Sequence, residues 1–234
     1  MSKDFNEKVV LISGASRGLG FAVAEACGAS GAHVIALART VGGLEELDDA
    51  IRERGGEATL VPLDITDDPA LERLGAAIYE RWGRLDLWVH TAQQAPTLAP
   101  VEHIDLKELD KVWAVNVRAV QRLIRVLDPL LRQAEAGRAV MFKDEGAAER
   151  NHHGLYVAAK AASDALVRDW GRTLEATSSA RAILAAPPPM PTSLRGRFYP
   201  GEDRSSLTHP SEVAGRLLRA LLEGQTGQVD LRSQ

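Results

Sequence analysis

Cysteine is nearly absent from this chain, with one residue, Cys27, in 234. A lone thiol excludes an intrachain disulfide framework, and its place among small residues on a helical segment reads as a buried structural group. Charge of one sign is lacking too. The formal net charge is -4 and no basic or acidic block exists, so the chain carries no electrostatic footprint for nucleic acid or a membrane surface. No apolar run approaches the length of a membrane span. Residues 1–8 are polar and lead straight into a strand pattern, which predicts no signal peptide and a cytoplasmic protein. Metal-ligand spacing is missing, and the adjacent His152 and His153 fall in a polar loop that reads as solvent-exposed. Internal repeats and low-complexity linkers are absent as well. What is present, with 45% hydrophobic residues, suffices for one α/β domain over 1–234 with a sizeable core.

Seven short apolar segments, at 9–13, 33–38, 58–63, 85–90, 138–142, 181–185 and 228–231, alternate with helical patterns over 18–30, 43–54, 69–82, 106–134, 154–177 and 211–223. Strands alternating with helices predict right-handed crossovers and a parallel sheet covered on both faces, a doubly wound α/β sandwich of three layers. Ligands of such sheets collect beyond the carboxyl ends of the strands, so the residues just after each strand carry the functional information.

After the first strand stands Gly14-Ala15-Ser16-Arg17-Gly18-Leu19-Gly20, leading into a helix. Three glycines at a strand-to-helix turn let backbone approach a ligand closely and aim unpaired helix N–H groups at an anion, which makes a phosphate cradle. The second strand is followed by Arg39, where an acidic residue would hold ribose hydroxyls and an arginine accommodates a 2′-phosphate. Arg17 and Arg39 together form a guanidinium pair suited to phosphate, which favours NADP(H) over NAD(H). Asp64, with Ile65 after it, follows the third strand, where its carboxylate either receives an adenine amino group or serves the turn before Asp67. Asn116 shares a helical stripe with Val112, Trp113, Val120 and Leu123 and is therefore expected to be buried and hydrogen-bonded, at a helix kink or beside a site. Tyr156 and Lys160 lie one helical turn apart on one face, so the ammonium lowers the cost of a phenolate and makes the phenol a usable acid.

In these residues the chain resembles the short-chain dehydrogenase/reductase family over nearly its whole length. The resemblance implies a Rossmann-type sheet of seven parallel strands and hydride transfer between NAD(P)(H) and a small carbonyl or alcohol, often in a homotetramer. Gly14, Gly18 and Gly20 fall on the family's cofactor turn, with Ser16 and Leu19 beside them. Asp64 falls on its adenine-contacting aspartate, Ala92 on the cofactor-facing end of its fourth strand, and Tyr156 and Lys160 on its catalytic pair. Asn116 matches a helix asparagine that supports a water path to the lysine. Arg17 and Arg39 match the basic residues of NADP-preferring members. Pro187, Met190 and Thr192 fall where the family contacts the nicotinamide amide, and the stretch 186–210 forms the substrate-side loop. An oligomer, dimer or tetramer, is implied, with support from the small residues Ala158, Ala161 and Ala165.

The departures are concentrated at the reacting end. His90-Thr91-Ala92-Gln93 replaces the family's N-N-A-G, Pro188 replaces a glycine, and the catalytic serine is gone. Counting forward from Gly137 places Asp144 at the serine's position, and counting back from Tyr156 places Lys143 there. Removing one such hydroxyl donor typically costs about 10²–10³ in rate. An inward Asp144 raises the tyrosine's pKa and repels an alkoxide, whereas an inward Lys143 assists as a donor. Two functions follow from the residues. One is an NADP-dependent oxidoreductase with Tyr156 as acid/base, Lys160 as its modulator and Asn116 anchoring the relay. The other is a catalytically impaired relative that keeps the fold and binds a dinucleotide or acts as a scaffold.

Overall fold

The computed structural model describes residues 4–233, so the polar start at 1–3 lies outside the described residues. Strands β1 Val9–Ser13, β2 His33–Ala38, β3 Glu57–Pro62, β4 Leu87–His90, β5 Arg138–Phe142, β6 Arg181–Ala186 and β7 Gly227–Asp230 form one sheet in the order β3-β2-β1-β4-β5-β6-β7. Every pairing is parallel. The chain steps outward from β1 to β3, returns across β1 to β4 and steps outward again. The carboxyl ends of β1 and β4 therefore flank the point where the winding reverses, and a crevice opens there.

Alternation of side chains along each strand divides the core in two. Val10, Ile12, Val34 and Val140 pack beneath helices α1 Gly18–Ala29, α2 Val41–Glu53 and α8 Pro210–Leu222. Leu11, Ile35, Trp88 and Met141 pack on the opposite face beneath α3 Asp68–Trp82, α5 Ala119–Gln133 and α6 Gly154–Thr177. Burial on both faces explains why these strands read as continuous apolar runs rather than alternating ones.

The fourth strand starts two residues later than its apolar pattern, because buried Asp86 turns its carboxylate onto the Val9 N–H at 3.0 Å and Lys8 Nζ at 3.2 Å. The single helix expected over 106–134 is two helices, α4 Leu106–Trp113 and α5, joined by a π-helical turn at Ala114–Arg118. The turn shifts the register, so Asn116 is buried as the stripe predicts while Trp113 is 43% exposed. The stretch 186–210 is not all loop either: α7, Ser193–Phe198, is a short helix whose first turn is capped by Thr192. Cys27 is fully buried in α1, and burial pushes its thiol up to about 12.

Candidate active site

A cavity of about 630 Å³ runs from the end of β2 across the amino end of α1 to the amino end of α6. That volume lies within the ~300–1,000 Å³ typical of small-molecule sites. Gly14, with φ +94°, has no room for a side chain: a Cβ there would stand 2.6 Å from Ala92 N and from Thr91 Oγ1. A Cβ on Gly20 would collide with Gly14 O and the same Thr91 hydroxyl. That hydroxyl donates to Ser13 O at 3.0 Å and Gly14 O at 3.2 Å, tying the turn to the loop after β4. Two of the three glycines thus serve chain packing. Only Gly18, φ +59°, would meet nothing closer than the Thr192 methyl at 3.5 Å.

The amino end of α1 is suited to a phosphate. Arg17 precedes it with extended backbone, no side chain caps it, and its first turn holds no acidic residue. Its outward N–H groups are thus left to an anion. At the far end Arg39 is exposed, with Nη1 3.8 Å from Asp64 Oδ2. Asp64 Oδ1 accepts from Thr66 N and Thr66 Oγ1 at 2.9 and 2.8 Å, so Asp64 holds its own turn, and Asp67 is the residue that caps α3. Ile65 is buried behind this turn.

The reacting end brings Tyr156, Asp144 and Gln93 together. The phenol oxygen lies 3.0 Å from Gln93 Oε1 and 3.1 Å from Asp144 Oδ2, so one proton faces two acceptors. Burial, then the charge of Asp144, push the phenol far above the usual tyrosine range. This reverses the expectation that Lys160 eases phenolate formation. Lys160 is turned away: its ammonium donates to Phe142 O at 2.6 Å and lies 3.8 Å from Asp164 Oδ1, and burial lowers its own pKa. Lys143 also points elsewhere, to Glu145 Oε1 at 2.5 Å and Gln228 Oε1 at 3.2 Å. Of the two candidates for the serine's place, Asp144 is the one that faces Tyr156.

Asn116 does not reach the phenol. Its Oδ1 accepts from Gln94 N at 2.8 Å and its Nδ2 donates to Gln94 O at 3.0 Å, pinning the loop that carries Ala92 and Gln93. A void of about 10 Å³, bordered by His90, Asn116, Lys160 and Ser163, lies behind that loop. His90 is fully enclosed; burial, then the nearby Lys160 charge, lowers its imidazole to about 3.

Beyond β6, Pro187, Met190 and Thr192 border the cavity opposite the glycine turn. Met190 O accepts from Thr192 N at 2.7 Å, and Thr192 Oγ1 accepts from Arg195 N at 3.2 Å. Arg195 is spent on Glu202 through two hydrogen bonds and stacks over Tyr199 at 3.6 Å. Phe198 of α7 stands edge-on to Tyr156 at 4.8 Å. His153, expected in solvent, is buried against that ring at 5.2 Å, its Nδ1 2.9 Å from Asn151 O; His152 is exposed with φ +66°. Gln93 stood out in the sequence as a departure at the crevice end of the fourth strand, though not as a partner of Tyr156, whereas Phe198 is brought to the phenol only by the fold of α7.

The short chain dehydrogenase family model matches residues 8–203. A fatty acyl-CoA reductase of Acinetobacter baylyi is 34% identical over 163 residues, which are 69% of this chain and 55% of that protein. The chain thus spans about half the length of this curated relative. A solved structure of a short chain dehydrogenase from Pseudomonas syringae superposes with a TM-score of 0.93 at 27% identity, over 99% of this chain and 97% of that one. Another, from Escherichia coli CFT073 and complexed with NADPH, does so with a TM-score of 0.88 at 26% identity, over 99% of each.

Proposed function

Because the chain belongs to the short-chain dehydrogenase family, whose matched relatives are oxidoreductases, we propose that it is an NADP(H)-dependent oxidoreductase working on a small substrate at Tyr156. The observation that carries this reading is the single cavity linking the uncapped amino end of α1, the Arg39 guanidinium and the Tyr156 hydroxyl. The residues fit the cofactor. The first turn of α1 and Gly18 would hold its diphosphate, Arg17 and Arg39 its 2′-phosphate, Asp64 and Ile65 its adenine, and Met190 and Thr192 its carboxamide. Bound there, the nicotinamide would supply or accept the hydride.

The chain's own residues determine the proton's part. Tyr156 keeps its proton because burial and Asp144 oppose the phenolate, so it offers a hydrogen bond rather than a readily released proton. Lys160 holds the β5 end through Phe142 O. Asn116 positions the loop bearing Gln93. Phe198 stands edge-on over the ring of Tyr156.

A second reading, a cofactor-binding chain without turnover, is favoured by one observation: Gln93 and Asp144 already occupy the hydroxyl that a carbonyl oxygen would need. Fluorescence titration with NADPH and NADH, followed by a substrate panel with Tyr156→Phe as control, separates the two. Tight NADPH binding with Tyr156-dependent turnover is the expected result. Binding without turnover on any substrate, or turnover indifferent to Tyr156→Phe, removes the redox reading.

A further inference from the structure

A carboxylate stands where hydride acceptance at a carbonyl calls for a neutral donor. Asp144 is exposed to the cavity, and its Oδ2 lies 3.1 Å from the Tyr156 hydroxyl, within reach of any atom that bonds to that phenol. Three cations close to it are paired with other carboxylates. Lys143 is on Glu145, Lys160 is beside Asp164, and Arg195 is clasped by Glu202. The charge of Asp144 therefore faces the substrate space uncompensated by a dedicated partner. Gln93 Oε1, 3.0 Å from the same phenol, presents a second acceptor and no charge.

Such a site opposes a ketone. As hydride arrives, negative charge gathers on the carbonyl oxygen, and a neighbouring carboxylate raises the energy of that state. For a protonated imine the sign reverses. Its N–H donates to the acceptors that the site supplies, its positive charge is stabilised by Asp144, and no anion develops during the reaction.

Resting on the redox reading above, we propose that the substrate class is the iminium ion, a C=N⁺–H group bound with its nitrogen on Asp144 and reduced to an amine. In the step the substrate carbon gains a C–H bond made with the electron pair of a hydride from the dihydronicotinamide of NADPH. The C=N π pair becomes the nitrogen lone pair, the product is a neutral amine, and NADP⁺ is left. No proton is consumed. A proton from Tyr156 or water then yields the ammonium, which Asp144 holds until it leaves, and solvent restores the phenol.

The test compares 2-methyl-1-pyrroline with cyclopentanone as substrates for NADPH oxidation, in the wild type, Asp144→Asn and Asp144→Ser. Alongside turnover, calorimetry on the protein with NADP⁺ compares binding of pyrrolidinium with that of cyclopentanol. The expected result is imine reduction at least about tenfold faster than ketone reduction in the wild type. Either substitution lowers imine turnover and pyrrolidinium affinity by about 10–10², the range of a lost charge-assisted contact, with NADPH affinity unchanged. Asp144→Ser also raises ketone turnover. Ketone reduction equal to or faster than imine reduction, or pyrrolidinium binding indifferent to Asp144→Asn, overturns the iminium assignment and leaves the redox reading standing. No turnover of either substrate by the wild type or by Asp144→Ser, with NADPH bound, removes the redox reading and the iminium assignment with it.

Discussion

At the scale of single residues, the site is governed by where charges are kept. His90 is enclosed among Ser13, Trp88 and Lys160; Trp88 Nε1 donates to Ser13 Oγ at 3.0 Å, and that oxygen lies 2.8 Å from His90 Nδ1. Burial and the nearby Lys160 charge favour the neutral imidazole. With a folded value of about 3 against an ordinary 6.5, the native state binds fewer protons than the unfolded chain between those limits. Stability contributed by neutral His90 is therefore present above pH ~6.5 and lost as pH falls through that window, by at most about 1.4 kcal/mol per unit. Urea midpoints measured from pH 7 to 4 should fall more steeply for the wild type than for His90→Asn; parallel slopes would contradict the assignment. Arg39 offers the corresponding binding test. A charge-assisted contact to a 2′-phosphate contributes about 1.5–3 kcal/mol, so Arg39→Asp should weaken NADPH roughly ten- to hundredfold while changing NADH little. Equal loss for both nucleotides would sink the phosphate role.

At the scale of elements, the π-helical turn at Ala114–Arg118 is what presents Asn116 to a loop rather than to a neighbouring helix turn. Its side-chain amide satisfies both backbone groups of Gln94, the oxygen accepting and the nitrogen donating. Asn116→Ala leaves the Gln94 N–H and C=O without those partners, at a cost of about 1–3 kcal/mol. Thermal unfolding should register the loss, and hydrogen exchange at the Gln94 amide should quicken by more than the global change accounts for. An unchanged Gln94 amide would mean that the loop is held by other contacts. The helix α7 is a second local device: Thr192 starts it, Arg195 and Glu202 close it, and Phe198 covers Tyr156. A segment rich in proline and arginine has no periodicity to announce such a helix, and its single turn and a half is set by these tertiary contacts.

For the molecule as a whole, the two cores on either face of the sheet make the fold, and the crevice between the diverging halves makes the site. Ligand linkage gives a direct measure of the crevice. NADPH at a hundred times its Kd adds about 2.7 kcal/mol of stability, which in a chain of this size raises Tm by roughly 5–10 °C. NADH at the same concentration should raise it less, and equal shifts would argue against selectivity for the phosphate. The homo-oligomer implied by the family resemblance, a dimer or tetramer, is tested by light scattering, where a monomer would retire it. Among the described residues no helix is long and apolar enough to cross a membrane.

The strand order, the helices other than α7 and the break between α4 and α5, the glycine turn after β1, the arginine after β2 and the one-turn spacing of Tyr156 and Lys160 were legible in the sequence. Each follows from local rules: continuous apolar runs form doubly buried strands, and positive φ at Gly14 and Gly18 demands glycine. The choice between Lys143 and Asp144 was not legible, because two adjacent loop residues differ only in where distant partners pull them. Glu145 and Gln228 draw Lys143 outward, which leaves Asp144 facing the phenol across the crevice. For the same reason the direction of the Tyr156 pKa shift was misjudged from spacing alone. The one-turn separation does place the ammonium on the phenol's face of the helix, but Phe142 O draws it aside, and the charge that acts on the phenol comes from a residue twelve positions earlier. Local pattern set the scaffold, and long-range electrostatics, formed only when the strand ends converge, set its chemistry.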